Sequence, residues 1–238
     1  MRFRSGKPTP AELSITATDS LRVSELFYSI QGESTWAGMP CAFVRLSDCN
    51  LRCSYCDAAY TWSEPGRKRS ITEILQWLRR YPGVLTEITG GEPLLQENVH
   101  RLTEQIIDNG HLVLIETNGT VSITDVHPQA VVIMDIKCPG SGMADGFYQE
   151  NIALLRTRHQ TGCRDEIKFV LSSEDDFHWA VDMVRNYGLH NLANVLFSPV
   201  THLFSPKKLA TMILAEQLPV RLQLQLHTLL WPGQTRGV

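Results

Sequence analysis

Apolar runs of five to eight residues recur along the chain, separated by stretches whose apolar positions fall at helical spacing. The runs at 41–47, 84–89, 112–117, 130–137, 166–171, 194–198 and 220–227 are rich in β-branched or other apolar residues and bounded by turn residues, which predicts strands. Helices are predicted between them. Ser70 and Glu73 make a capping box ahead of Ile74, Leu75 and Leu78, and Pro82-Gly83 stops that segment. Val99, Leu102, Ile106 and Ile107 form a stripe ending at Gly110. Ser173 caps a segment carrying Phe177, Val181 and Val184 with Gly188 beyond it, and Ser205-Pro206 opens another. Strand, helix, strand repeated in this way predicts a parallel sheet covered by helices. The fold class is therefore α/β, and both a partial or irregular (β/α) barrel and an open doubly wound sheet fit. In either, the loops at the carboxyl ends of the strands carry the site.

With 238 residues, 43% of them hydrophobic, the chain is long enough for one well-buried domain. Residues 1–20 mix Pro, Ser, Thr and charge without periodicity and predict a flexible arm, leaving 21–238 as a single domain. A net charge of -3 without a long basic run predicts no direct nucleic-acid partner. No run approaches the ~20 apolar residues of a bilayer span, and the first residues lack a secretory apolar segment. The expected compartment is the cytoplasm, where close-set thiols hold metals more readily than they form disulfides.

The chemistry gathers at the predicted strand ends. Cys49, Cys53 and Cys56 follow the first main strand in a CxxxCxxC spacing with no fourth thiolate nearby and no histidine before His100. Structural zinc wants four protein ligands, whereas three thiolates on a four-iron cluster leave one iron open. Ligand counting favours the cluster, and a zinc site closed through the fold remains the alternative. Cys41, Cys138 and Cys163 read as buried free thiols. Thr89-Gly90-Gly91-Glu92-Pro93, Glu116-Thr117-Asn118-Gly119 and Asp135-Ile136-Lys137 end the next three strands. Paired glycines there would let a ligand approach the backbone.

The cluster loop with Tyr55 before its last cysteine, followed by TGGEP and ETNG, resembles the radical S-adenosylmethionine (SAM) superfamily. Ser29-Ile30-Gln31-Gly32-Glu33 and the LQLHTLLWP tail at 224–232 narrow the resemblance to the 7-carboxy-7-deazaguanine synthase family of queuosine and 7-deazapurine biosynthesis. The resemblance runs from about Val23 to the C-terminus. It implies the barrel of the radical SAM type. It also implies that Cys49, Cys53 and Cys56 hold a [4Fe-4S] cluster whose fourth iron is chelated by SAM. By the same resemblance Tyr55, Cys56 and Asp57 lie along adenosine and Gly90, Gly91 and Glu92 at the methionine end. Glu116 would take the ribose, with Asn118, Lys137 and Ser198 also on the SAM side. The implied substrate is 6-carboxy-5,6,7,8-tetrahydropterin, read by Ile30, Gln31, Gly32, Glu33 and Thr89. Arg45 would fork its carboxylate, with His227 in the pocket wall; Arg45 and His227 are the candidate catalytic pair. The implied reaction starts with hydrogen removal from the carbon bearing the carboxylate, then contracts the ring and expels ammonia, with SAM regenerated.

The family also implies Mg2+, a homodimer and a flavodoxin- or ferredoxin-type electron donor. Two departures stand out. Ala58 occupies the place of a Mg2+-binding hydroxyl residue and cannot ligate a metal, which would leave Mg2+ to substrate oxygens, waters, Asp57 or the Val238 carboxylate. Ser34 replaces a usual glycine after QGE. The other enzyme class that shares a cluster loop and SAM is the glycyl-radical-enzyme activating protein; a zinc-bearing interaction module is the non-enzyme alternative.

Overall fold

The computed structural model describes residues 19–238. The predicted 1–20 arm therefore lies outside the described residues up to position 18; Asp19 pairs with Arg101 at 2.5 Å, and Ser20 already begins a strand.

The strands are β1 (Ser20–Ile30), β2 (Pro40–Leu46), β3 (Arg67–Ser70), β4 (Leu85–Gly90), β5 (Val113–Thr117), β6 (Val131–Asp135), β7 (Glu166–Leu171), β8 (Asn194–Pro199) and β9 (Arg221–Leu222). The helices are α1 (Tyr60–Ser63), α2 (Ile71–Leu78), α3 (Asn98–Asp108), α4 (Glu150–Gln160), α5 (Glu174–Tyr187), α6 (Pro206–Glu216) and α7 (Leu226–Leu230). One sheet runs β3-β1-β2-β4-β5-β6-β7-β8-β9. β1 pairs antiparallel with β2 and β3, and every pairing from β2 to β9 is parallel. A doubly wound sheet reverses its strand order at a switch point. Here each new parallel strand adds on the same side, which is the winding of a barrel, and the end strands β3 and β9 do not pair. The fold is the expected partial (β/α) barrel.

Period-2 alternation divides the strands between two surroundings. Ala42, Val44, Leu46, Ile88, Ile115, Met134, Phe169 and Phe197 face outward and pack with Ile74, Leu102, Phe177 and Val184 of the helices in the main core. The inner positions change character along the strands. At the amino ends Phe27, Cys41, Phe43, Leu85, Leu114, Val131 and Ile133 form an apolar plug, with Phe27 and Phe43 stacked at 4.6 Å. Two residues further along come Arg45 and Glu87, then Thr89, and on the neighbouring strands Glu116, Asp135 and Lys168. The plug is the floor of a polar cavity.

The predicted helix signals form. Ser70 and Glu73 make the capping box of α2, the Ser173 hydroxyl accepts from Asp176 N–H, and Gly188 ends α5 in the left-handed region at φ 61°. Two strand expectations change. β6 ends at Asp135, with Ile136 and Lys137 in the following loop. The 220–227 strand shrinks to Arg221–Leu222 because Gln223 and Leu226 are drawn into hydrogen bonds with the β1–β2 loop, and Leu226–Leu230 coils as α7. β1, β3, α1 and α4 go beyond the predicted set.

That β1–β2 loop, residues 31–36, bridges the open side of the barrel. Ser34 exchanges two hydrogen bonds with the Gln223 side chain (2.8 and 2.9 Å), Thr35 N–H donates to Glu166 (3.1 Å), and Leu226 N–H donates to Gly32 C=O (2.9 Å). Ser34 has φ 64°, a conformation usual for glycine. The loop thus keeps a glycine-like backbone despite the substitution, held by the two Gln223 bonds and by the Ser34 hydroxyl accepting from Trp36 N–H.

Candidate active site

The strand tips and the bridging loop enclose a cavity of about 350 Å3. All the sequence-predicted site residues line it except Glu92 and Ser198: Ile30 to Glu33, Arg45, Cys49, Cys53, Tyr55 to Asp57, Thr89 to Gly91, Glu116, Asn118, Lys137 and His227 are in its wall.

Glu92 is a correction. It is fully buried, and its carboxylate accepts from Asn118 N–H (2.7 Å), Leu94 N–H (2.9 Å) and the Thr117 hydroxyl (2.8 Å). These bonds lock the TGGEP turn to the ETNG turn, so Glu92 braces two binding loops and offers no atom to a ligand. Burial pushes its pKa up to about 7 against the pull of those donors. The glycines before it line the cavity and are also closely packed. A Cβ on Gly90, which has φ 147°, would lie 2.2 Å from Leu46 C=O, and one on Gly91 would lie 1.9 Å from Asp48 C=O. The pair is required because the chain leading into the cysteine loop passes against it. Ser198 is buried behind the wall, its hydroxyl without a hydrogen-bond partner.

The three thiols are half-buried and free. Burial raises the pKa of both Cys49 and Cys53. Cys49 Sγ accepts from Leu51 N–H at 3.4 Å and from Asn118 Nδ2 at 3.8 Å. Among the described residues the His/Cys/Asp/Glu group whose donor atoms all fall within 4.8 Å is Glu33, Asp57 and His227, not the cysteines. Tetrahedral zinc, with Zn–S near 2.3 Å, would hold thiolates about 3.8 Å apart. Thiols set wider than that fit the corners of a four-iron cluster better than a single zinc ion.

Around the thiols, Tyr55 forms wall and anchors its hydroxyl to Val170 C=O at 2.9 Å. Lys137 Nζ reaches Asp135 at 2.8 Å. Glu116 accepts from Thr89 Oγ1 at 2.8 Å and pairs with Lys168; although burial opposes ionisation, the Lys168 ammonium holds Glu116 down at about 2. Arg45 is 16% exposed, 3.2 Å from Glu25 and over the Phe27 ring at 5.3 Å. Burial opposes its charge, but Tyr60, Asp57, Glu25 and Glu116 around it raise its pKa. Gln31 is buried and donates its amide to Glu87, whose pKa burial and then the Glu116 charge push up to about 8. His227 packs so closely on the loop that a Cβ at Gly32 would lie 2.5 Å from its Nδ1.

Lys168 and Glu87 are the functional-site residues that sequence reasoning missed. A lysine in the middle of the apolar run EIKFVL was the available signal, because lysine is almost never fully buried unless paired.

A Radical SAM superfamily model matches residues 44–128. A 7-carboxy-7-deazaguanine synthase from Koribacter versatilis is 43% identical over 233 residues, covering 92% of this chain and 100% of the relative. The chain belongs to the 7-carboxy-7-deazaguanine synthase family. A second relative so named, from Chlorobaculum tepidum, is 41% identical over 92% of this chain and 97% of its own length. Among solved structures, QueE from Escherichia coli superposes with a TM-score of 0.70 at 22% identity, covering 87% of this chain and 94% of that one. Streptococcus suis SuiB bound to S-adenosylmethionine gives 0.56 at 15% identity over 74% of this chain and 47% of that one. These two likenesses confirm the fold. The superfamily implies a [4Fe-4S] cluster and SAM.

Proposed function

We propose that this chain converts 6-carboxy-5,6,7,8-tetrahydropterin to 7-carboxy-7-deazaguanine with loss of ammonia, in the 7-deazapurine branch that leads to queuosine. The observation that carries the reading is one cavity lined both by three free thiols and by Gln31, Glu33 and Arg45.

Cys49, Cys53 and Cys56 would hold the cluster. With SAM bound, that group supplies a 5'-deoxyadenosyl radical; the rest is done by the protein. Glu116, ionised and fixed by Thr89 and Lys168, is an acceptor suited to a ribose diol. Asn118 and Lys137 line the thiol side with a hydrogen-bond donor and a positive charge. Arg45, its Nε held by Glu25 at 3.2 Å, lines the cavity with a guanidinium suited to a substrate carboxylate. Gln31 and the Ile30–Glu33 backbone supply polar groups for the flat ring edge, and His227 closes the wall. The plug beneath and the loop beside them limit water at the reacting carbon.

Ala58 is buried and carries no donor, so in this reading Mg2+ would be held by Asp57 with waters and substrate oxygens. An external one-electron donor of the flavodoxin or ferredoxin type, a homodimer and a cytoplasmic setting complete it. No helix among the described residues is long and apolar enough to cross a membrane. The test is anaerobic incubation of the reconstituted protein with SAM, dithionite and the carboxy-tetrahydropterin. The expected result is 7-carboxy-7-deazaguanine and ammonia; SAM cleavage without a deazapurine, or a glycyl radical installed on a partner protein instead, contradicts the reading.

A further inference from the structure

Lys168 stands at the centre of the cavity wall with a side chain only 4% exposed. Its ammonium lies 2.7 Å from Glu33 of the bridging loop, pairs with Glu116 of β5 and lies 3.3 Å from Asp135 of β6. Each glutamate uses its other oxygen elsewhere: Glu33 accepts from Gln225 at 3.0 Å and Glu116 from Thr89 at 2.8 Å. One cation therefore joins a loop that carries the substrate-side groups to a strand tip that carries the SAM-side acceptor. We propose that Lys168 is the positioning residue that seats these two subsites against each other, fixing Glu116 for the cofactor's ribose and the 31–36 loop for the pterin.

The physical case rests on what removal would leave. Without the ammonium, Glu33, Glu116 and Asp135 face one another with two cations left near them, Lys137 bonded to Asp135 and Arg45 within reach of the Glu116 charge. Closely spaced carboxylates in a buried site do not all stay ionised. A protonated Glu116 is a weaker acceptor, and an unseated Glu33 releases the side chain that holds the loop to β7. The loop's other ties, through Gln223, Glu166 and Leu226, keep the fold together, so the loss falls on binding. A residue with a purely structural role would lower stability without moving two binding constants in two subsites.

This inference rests on the proposed function for the identity of the pterin, but its SAM arm does not. The experiment uses the cluster-reconstituted holoenzyme and compares wild type, Lys168→Met, Glu116→Gln and the double variant. Lys168→Met is expected to retain its iron and cluster spectrum, to bind SAM about tenfold more weakly by titration, to raise KM for the pterin about tenfold, and to form more 5'-deoxyadenosine per product. In the Glu116→Gln background, Lys168→Met is expected to weaken SAM binding less than twofold further, because its effect acts through Glu116. SAM affinity and pterin KM both within threefold of wild type, or SAM losses that simply multiply in the double variant, overturn the proposal. So does loss of the cluster, since Lys168 is assigned no part in holding it. If Lys168→Met gives no folded protein, Lys168→Gln, which keeps a polar head in the site, is measured against the same criteria. A wild-type protein that binds SAM but makes no deazapurine would instead reject the proposed function and leave the SAM arm standing.

Discussion

Cys49, Cys53 and Cys56 announce themselves by spacing, and Arg45 and Gln31 by the motifs around them, so the reactive half of the cavity was legible residue by residue. What these residues rest on was not. Glu92 sits within a run that suggests ligand contact, yet its three hydrogen bonds turn inward, a distinction that depends on where Thr117 and Asn118 fold to. Glu92→Ala leaves three donors without their acceptor, two of them backbone amides. The expected cost is about 2 kcal/mol or more of stability, read by urea denaturation. Arg45→Ala should spare uncoupled SAM cleavage and weaken pterin binding by about 2 kcal/mol or more, checked by comparing deoxyadenosine formation with pterin KM. Cys53→Ala should abolish SAM cleavage, because two thiolates do not secure the cluster; an iron assay and deoxyadenosine chromatography read it. Glu87 adds a pH signature. Its pKa is raised from 4.5 to about 8 by burial, so its protonated form favours the fold. That contribution is whole below about pH 4.5 and is lost as pH rises through about 8. Glu87→Gln is therefore expected to flatten the fall of melting temperature between about pH 5 and about pH 9, and an equally steep fall would show that Glu87 is not the group responsible.

The elements that sequence pattern found are the buried parallel strands and the capped helices, because both signals are local: a short apolar run between turns, and a cap with its stripe. The elements it missed lack those signals. β3 is Arg67-Lys68-Arg69-Ser70, an edge strand without an apolar residue, and β1 carries a register shift between Val23 and Glu25 that breaks its alternation. α4 has no side-chain cap at its start. The segment after β9 reads as strand in its sequence, and its helical form is tied at a distance, to Gly32 and Ser34. That dependence gives an element-scale prediction. Gly32→Ala places a methyl 2.5 Å from His227 Nδ1 and 3.1 Å from its backbone nitrogen. It should push α7 off the bridging loop, raising pterin KM at least tenfold while SAM affinity stays within twofold of wild type, as separate titrations would show.

At the scale of the molecule, the order in which strands join the sheet decided between two folds that periodicity left open. Steady addition on one side curls the sheet, puts an apolar plug at the amino ends and leaves the carboxyl ends around one cavity, open on the side that residues 31–36 span. Loops far apart in the chain thereby meet: the cysteine loop from β2, the glycine turn from β4, the ETNG turn from β5 and the tail helix α7. The chemistry of the cavity needs those three thiols to hold a cluster with one iron free for SAM. The most direct measurement is metal analysis with electron paramagnetic resonance of the reduced, anaerobically reconstituted protein, before and after SAM. About four irons and four sulfides per chain are expected, with a cluster signal that changes when SAM is added; stoichiometric zinc, or a cluster signal that SAM leaves unmoved, would show that the thiols hold no such cluster.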